Sequence, residues 1–232
     1  MSNNIANIKI LVLLPFMLFV YCKTHIKVKE VKTYPIVIRD NSGVQADMWE
    51  YIKPYQTQLK NKLSDTLIYN AYELDKKGKN PGLGILTSEA MIMLADSLFG
   101  KKDYVVWINR GGLRTELPKG FLTVGNIFEL MPFDNNLCVT EMNETLYKDN
   151  DDVLKYKDFI IMDRDKSSPK KLEEKMKKGC YLLLSDFLMN GGDGLKISSN
   201  TGRCSNYLIR DAIIQYLKIK RKFSDTLCIK PL

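Results

Sequence analysis

The chain has 232 residues, 35 Lys and Arg against 27 Asp and Glu, a formal net charge of +8, five cysteines and a single histidine, His25. Dinuclear phosphoesterase centres, zinc protease motifs and Ser-His-Asp or Cys-His catalysis all need imidazoles held inside a fold. With one histidine in the polar stretch KTHIKVKE, the sequence argues against such chemistry by this chain alone. It leaves a binding domain, a subunit that borrows catalytic groups, or chemistry by Lys, Arg and carboxylates.

In chain order, residues 1–22 read as an export leader: Lys9 precedes the apolar run ILVLLPFMLFVY, which ends at Cys22. The run is too short to span a bilayer, which takes about 20 residues. Bacterial lipoproteins carry their lipidated cysteine at this position, although Phe19 and Tyr21 stand where their cleavage box usually has Leu and a small residue. The expectation is an exported chain, anchored through Cys22 in the bacterial envelope, periplasmic or on the surface; an ordinary signal peptide is the alternative. Residues 23–46 read as a tether with one entry strand, YPIVI, and residues 47–232 as one domain.

Within that domain Met48, Ile52, Tyr55, Leu59 and Leu63 recur at helical spacing, with Pro54 as a kink or a start. The breaker cluster KKGKNPGLG leads into a second helix with Leu86, Ala90, Met93, Leu94 and Leu98 on one face and Gly100 after its end. YVVWI, NLCVTEM, FIIMD and YLLLS are strand candidates, and VGNIFELM a short helix stopped by Pro132. A lysine-rich helix runs between Pro169 and Gly179, its lysines expected to face solvent, and a final helix from about Tyr207 to Lys220 buries Ile209, Ala212, Ile213, Tyr216 and Leu217. The class is α/β or α+β: a mixed β-sheet flanked by helices. Cys138, Cys180, Cys204 and Cys228 show no CxxC spacing; disulfides and buried thiols both remain open.

Three loops beside predicted strands carry the chemistry. Asn109-Arg110-Gly111-Gly112-Leu113-Arg114 combines glycines that let backbone approach a ligand with forked guanidinium donors suited to phosphate. Met131-Pro132-Phe133-Asp134-Asn135-Asn136 places a ring in a polar turn, as a core plug or a ligand contact. Asp186-Phe187-Leu188-Met189-Asn190-Gly191-Gly192-Asp193-Gly194 separates a ring from a carboxylate by glycines, an arrangement suited to stacking on a base and accepting from sugar hydroxyls. A calcium loop would need carboxylates at alternating positions, which are missing.

Together the loops resemble the C-terminal, substrate-binding domain of the secreted 5′-nucleotidase / UDP-sugar hydrolase / 2′,3′-cyclic phosphodiesterase family. The family pattern reads LGN-L-x-x-DA, NGGGIR, a helix leading to LPFGN, NDFLxxGGDG and a helix; this chain reads LGILTSEAM, NRGGLR, NIFELMPFDN, SDFLMNGGDG and YLIRDAIIQYL, over about residues 50–222. The resemblance implies that Phe133 and Phe187 clamp the nucleobase, that Asp193 contacts the ribose, and that Asn109 and Arg114 face the phosphate. Ile85, Glu89 and Arg110 depart from the pattern. A further family arginine before the LGN helix is represented only by Lys77 and Lys79, which with Arg110 are candidate phosphate contacts, although lysine lacks the bidentate fork. The polar ETLYKDNDDVLKYKD stands where the family has a helix, so one side of the sheet is expected to be thinner.

In that family the hydrolytic metals sit on a separate N-terminal metallophosphoesterase domain. The resemblance therefore implies a nucleotide-binding subunit of a two-chain 5′-nucleotidase: catalytic residues, metal site and cofactor none in this chain, divalent metals on the companion, nucleic acid not a partner. A non-catalytic envelope lipoprotein that captures nucleotides or nucleosides is the alternative.

Overall fold

The computed structural model describes residues 46–77, 81–156, 158–197 and 202–229. The chain divides between Met48 and Trp49, and the architecture below is that of the second unit. Cys22, His25 and the YPIVI stretch lie outside the described residues.

Five strands form the main sheet. These are β2 (Tyr104–Asn109), β4 (Asn136–Met142), β5 (Phe159–Asp163), β6 (Cys180–Ser185) and β7 (Arg203–Leu208), in the order β5-β2-β6-β4-β7. β2 and β6 run parallel, and every other neighbouring pair is antiparallel. YVVWI is continuously apolar because helices cover both faces of the sheet. Tyr104, Val106 and Ile108 enter one core, Val105 and Trp107 the other.

The first core is filled by α2 (Gly82–Phe99) and α7 (Ile209–Arg221). α2 is apolar nearly all round and buries twelve of its residues, as a central helix does. α7 buries the five apolar positions that its periodicity predicts, and Arg210 besides. The second core is roofed by α4 (Glu144–Tyr156) and α5 (Pro169–Lys178). α4 is the ETLYKDNDDVLKYKD segment, so the expected thinning does not occur. Leu146, Tyr147, Val153 and Leu154 pack against the core, and Asn150, fully buried, exchanges hydrogen bonds with the backbone of Lys196. The lysines of α5 are not all solvated either. Lys175 bridges Asp103 at 2.8 Å and Asp163 at 2.6 Å, the latter's side chain wholly buried.

A second, three-stranded sheet, unanticipated from sequence, joins β3 (Gly120–Thr123), β1 (Thr66–Asn70) and β8 (Thr226–Leu227). Helix α3 (Val124–Leu130) follows β3 directly, its start fixed by a reciprocal capping box between Thr123 and Asn126. Helix α1 (Ala46–Leu63) is continuous across Pro54 and leaves Trp49, Tyr51, Ile52, Tyr55 and Leu59 exposed.

Candidate functional site

The parallel pair β2 and β6 ends on one edge of the main sheet, the place where open α/β sheets collect ligands. β4 begins at the same edge, since Leu137 pairs with Ser185, and β7 ends there, since Asn136 faces Leu208. All three sequence-predicted loops therefore converge. A cleft at this edge is lined by Asn109, Gly112, Asn135, Ser185, Leu188 and Ile209.

Each predicted residue has a definite support. Asn109, the last residue of β2, donates through Nδ2 to Asp193 Oδ2 at 2.9 Å. Its Oδ1 lies so close to Gly112 that an added Cβ there would sit 2.8 Å away and displace the Asn109 amide. Asp193 is held with φ +56°, a left-handed conformation that aspartate tolerates better than most residues. Phe187 lies in α6 (Asp186–Met189), whose start is capped by the Ser185 hydroxyl accepting from the Leu188 N–H. Its ring covers Gly192, where a Cβ would meet ring carbons at 2.5 Å. Phe133 and Phe187 are 44% and 48% exposed, so neither is a core plug. Asn136 ties their loops together, donating to Asp186 at 3.2 Å.

The cations divide into engaged and outward-facing groups. Arg114 places its guanidinium 4.9 Å over the Phe133 ring, a cation–π contact beside the glycine loop. Arg110 points elsewhere: its Nε is 2.7 Å from Asp158, and it lines a separate cleft with Tyr147, Phe159 and Met176. Lys77 is exposed and 3.6 Å from Glu116, and Lys79 lies outside the described residues. Among the described residues no three His, Cys, Asp or Glu side chains come together to hold a metal.

Residues 61–143 match the family described as 5′-nucleotidase, C-terminal domain. Over those residues the chain is similar to that domain. The likeness of fold extends past the matched residues. The 5′-nucleotidase precursor of Thermus thermophilus superposes with a TM-score of 0.61 at 16% identity, over 80% of this chain and 42% of that one. The NAD nucleotidase of Haemophilus influenzae does so at 0.54 and 11% identity, over 80% of this chain and 40% of that one. A sulfate thiohydrolase from Thermus thermophilus, in complex with glycerol, gives 0.54 and 12%, over 80% and 37%. The chain thus spans about two fifths of the length of these structures. No curated protein matches it in sequence.

Several residues that build this edge of the sheet leave little signal in the sequence. Lys76, not Lys77, braces the glycine loop, donating to the carbonyls of Leu113 at 2.7 Å and Arg110 at 3.4 Å. Arg210 donates to the carbonyl of Met131 and to Asp134. Asn150 and Asn136 act between segments 46 and 50 residues apart. Polar pairs at such separations leave no periodic signal. The one available hint was a polar residue inside an otherwise apolar face, as Arg210 is between Ile209 and Ala212.

Proposed function

We propose that this chain is the nucleotide-recognising subunit of a two-chain 5′-nucleotidase-type phosphoesterase. It holds the base between Phe133 and Phe187, the ribose at Asp193 and the phosphate within reach of Asn109 and Arg114, while a companion metallophosphoesterase chain supplies the divalent metals and the hydrolytic water. The observation that carries this reading is the pair of half-exposed phenylalanines on loops tethered to each other by Asn136 and Asp186. Two exposed aromatic faces at the edge of a sheet suit a planar base. The Asn109–Asp193 pair beside them offers a carboxylate oxygen to a sugar hydroxyl. The similarity of residues 61–143 to the 5′-nucleotidase C-terminal domain supports a nucleotide as ligand, and the single histidine supports placing the metal centre on another chain.

A second reading, a non-catalytic envelope lipoprotein that captures nucleosides or nucleotides, is favoured by the cations. Lys77 and Arg110 are committed to Glu116 and Asp158, which weights recognition towards base and ribose. Export is part of both proposals, with Cys22 as the anchor, and the Cys138–Cys204 disulfide suits an oxidising compartment.

A pull-down of the tagged chain from its own cells separates the two. Co-purification of a phosphoesterase whose AMP hydrolysis requires divalent metal and rises on adding this chain supports the split enzyme. Phosphate release by the purified chain alone would overturn both.

A further inference from the structure

We propose that Arg210 is a positioning residue for the aromatic loop, and that Asp134 is its specific counterpart. For its functional meaning the inference rests on the nucleotide reading above. Arg210 opens the last long helix, at a position where a buried charge needs a reason. It is 7% exposed, in line with the apolar residues Ile209 and Ala212 that pack into the core. An arginine desolvated to that extent is tolerated only when its donors are used.

Arg210 spends its two terminal nitrogens on one segment, while its buried Nε has no hydrogen-bond partner among the described residues. Its Nη1 donates to the carbonyls of Met131 at 3.1 Å and Phe133 at 3.4 Å, and its Nη2 to Asp134 Oδ1 at 2.7 Å. Its guanidinium lies 4.2 Å over Phe128, on the helix that leads into the loop. The next strut is backbone: the Ile209 N–H donates to the carbonyl of Asn135 at 2.9 Å. Residues 131–135 are thus fastened to the start of α7 at four points. The fifth support is Arg114, which covers the Phe133 ring and whose backbone N–H donates to the Leu130 carbonyl at 2.8 Å.

This arrangement fixes a half-exposed ring that the core does not hold. A loop anchored only at its ends would lose conformational freedom on ligand binding; one held in the bound conformation beforehand loses little. Asp134 stands where the LPFGN motif has glycine, and its side chain is 77% exposed, so the Arg210 contact is the use this chain makes of it. A lysine at 210 would keep the charge but could not reach two carbonyls and a carboxylate in one plane.

The test uses the full chain with AMP as the probe, and reads backbone amide exchange over residues 131–135 alongside calorimetric affinity. Asp134→Ala removes an exposed side chain but leaves the buried Arg210 guanidinium without its counter-charge, so it should speed exchange in this segment and also lower the melting temperature, by less than Arg210→Ala does. It should weaken AMP binding by about 10-fold, as the loss of a charge-assisted hydrogen bond does. Arg210→Ala should speed exchange further, with Arg210→Lys between it and the wild type. The deciding readout is coupling: in a Phe133→Ala background, Asp134→Ala should no longer change AMP affinity, because it acts through that ring. An effect that persists undiminished there, or exchange unchanged in both Asp134→Ala and Arg210→Lys, overturns the inference. If the wild type fails to bind AMP, the nucleotide reading falls, and the exchange rates alone decide whether Arg210 and Asp134 hold the loop.

Discussion

The aromatic and cationic sides of the candidate site are built differently. On the aromatic side, Phe133 is held by Arg210, Arg114 and the Ile209 N–H, and Phe187 by a capped turn over Gly192. On the cationic side, the exposed Lys77 reaches Glu116, and Arg110 turns away to Asp158. A ring held in place before binding contributes its stacking energy nearly in full, whereas a cation already paired has to exchange one anion for another. On the proposed nucleotide reading, the difference weights recognition towards the base and ribose rather than the phosphate.

The largest lever on the aromatic side is the Cys138–Cys204 disulfide. It joins β4 to the edge strand β7, from which α7 and Arg210 start. Removing it through Cys138→Ser with Cys204→Ser should cost about 2–4 kcal/mol of folding stability. Denaturant melts with and without reductant check this: the wild type should fall to the variant's midpoint when reduced, and the variant should not respond. Next, Phe133→Ala and Phe187→Ala should each weaken nucleotide binding by about 1–3 kcal/mol, the range for a base stacked on a ring. Equal losses in calorimetry would mark a two-sided clamp, and a loss confined to Phe187 would mark a one-sided platform.

Acid sharpens the contrast from the opposite end of the sheet, where Asp163 and Lys175 pair away from the site. Burial alone would raise the Asp163 carboxyl, but the hydrogen bonds from Lys175 and Ser167 outweigh it and hold it below the ordinary 3.8. The stability it contributes is therefore complete above that value and is lost as pH falls through and below it. Lys175 also pays a burial cost, outweighed by Asp103 and Asp163, which lift it above 10.5; its share is lost only as pH rises past that value. The stability gap between wild type and Lys175→Ala should accordingly be widest at neutral pH and narrow towards pH 3 in urea melts. At the small end, Lys77→Ala should change AMP affinity by less than about twofold, as exposed ion pairs do. A larger loss would restore weight to the cationic side.

How much of this was legible in the sequence depends on what each feature leaves in the chain. The main sheet was legible because YVVWI, FIIMD and YLLLS are apolar runs, and α7 because its five buried residues keep helical spacing. The loops were legible because glycines stand where the Asn109 and Phe187 side chains approach the backbone closely. β7 was not: RCSNYL is mostly exposed and lies at an edge, fastened by a disulfide whose partner is 66 residues away. β1 was hidden because Leu67 and Ile68 follow directly on the spacing of Leu59 and Leu63. α1 shows the converse: its period predicts the helix correctly and says nothing of burial, for Ile52, Tyr55 and Leu59 are exposed. ETLYKDNDDVLKYKD seemed too polar to replace a helix, yet four half-buried apolar residues and the buried Asn150 suffice to dock it.

The most direct test of the central claim is calorimetric titration of AMP and of adenosine into the wild-type chain and into a Phe133→Ala/Phe187→Ala variant. Recognition through base and ribose predicts that both ligands bind the wild type, with affinities within about tenfold of each other, a difference of about 1.4 kcal/mol, and that neither binds the variant. Binding of AMP that survives loss of both rings, or a wild type that binds neither ligand, would contradict it.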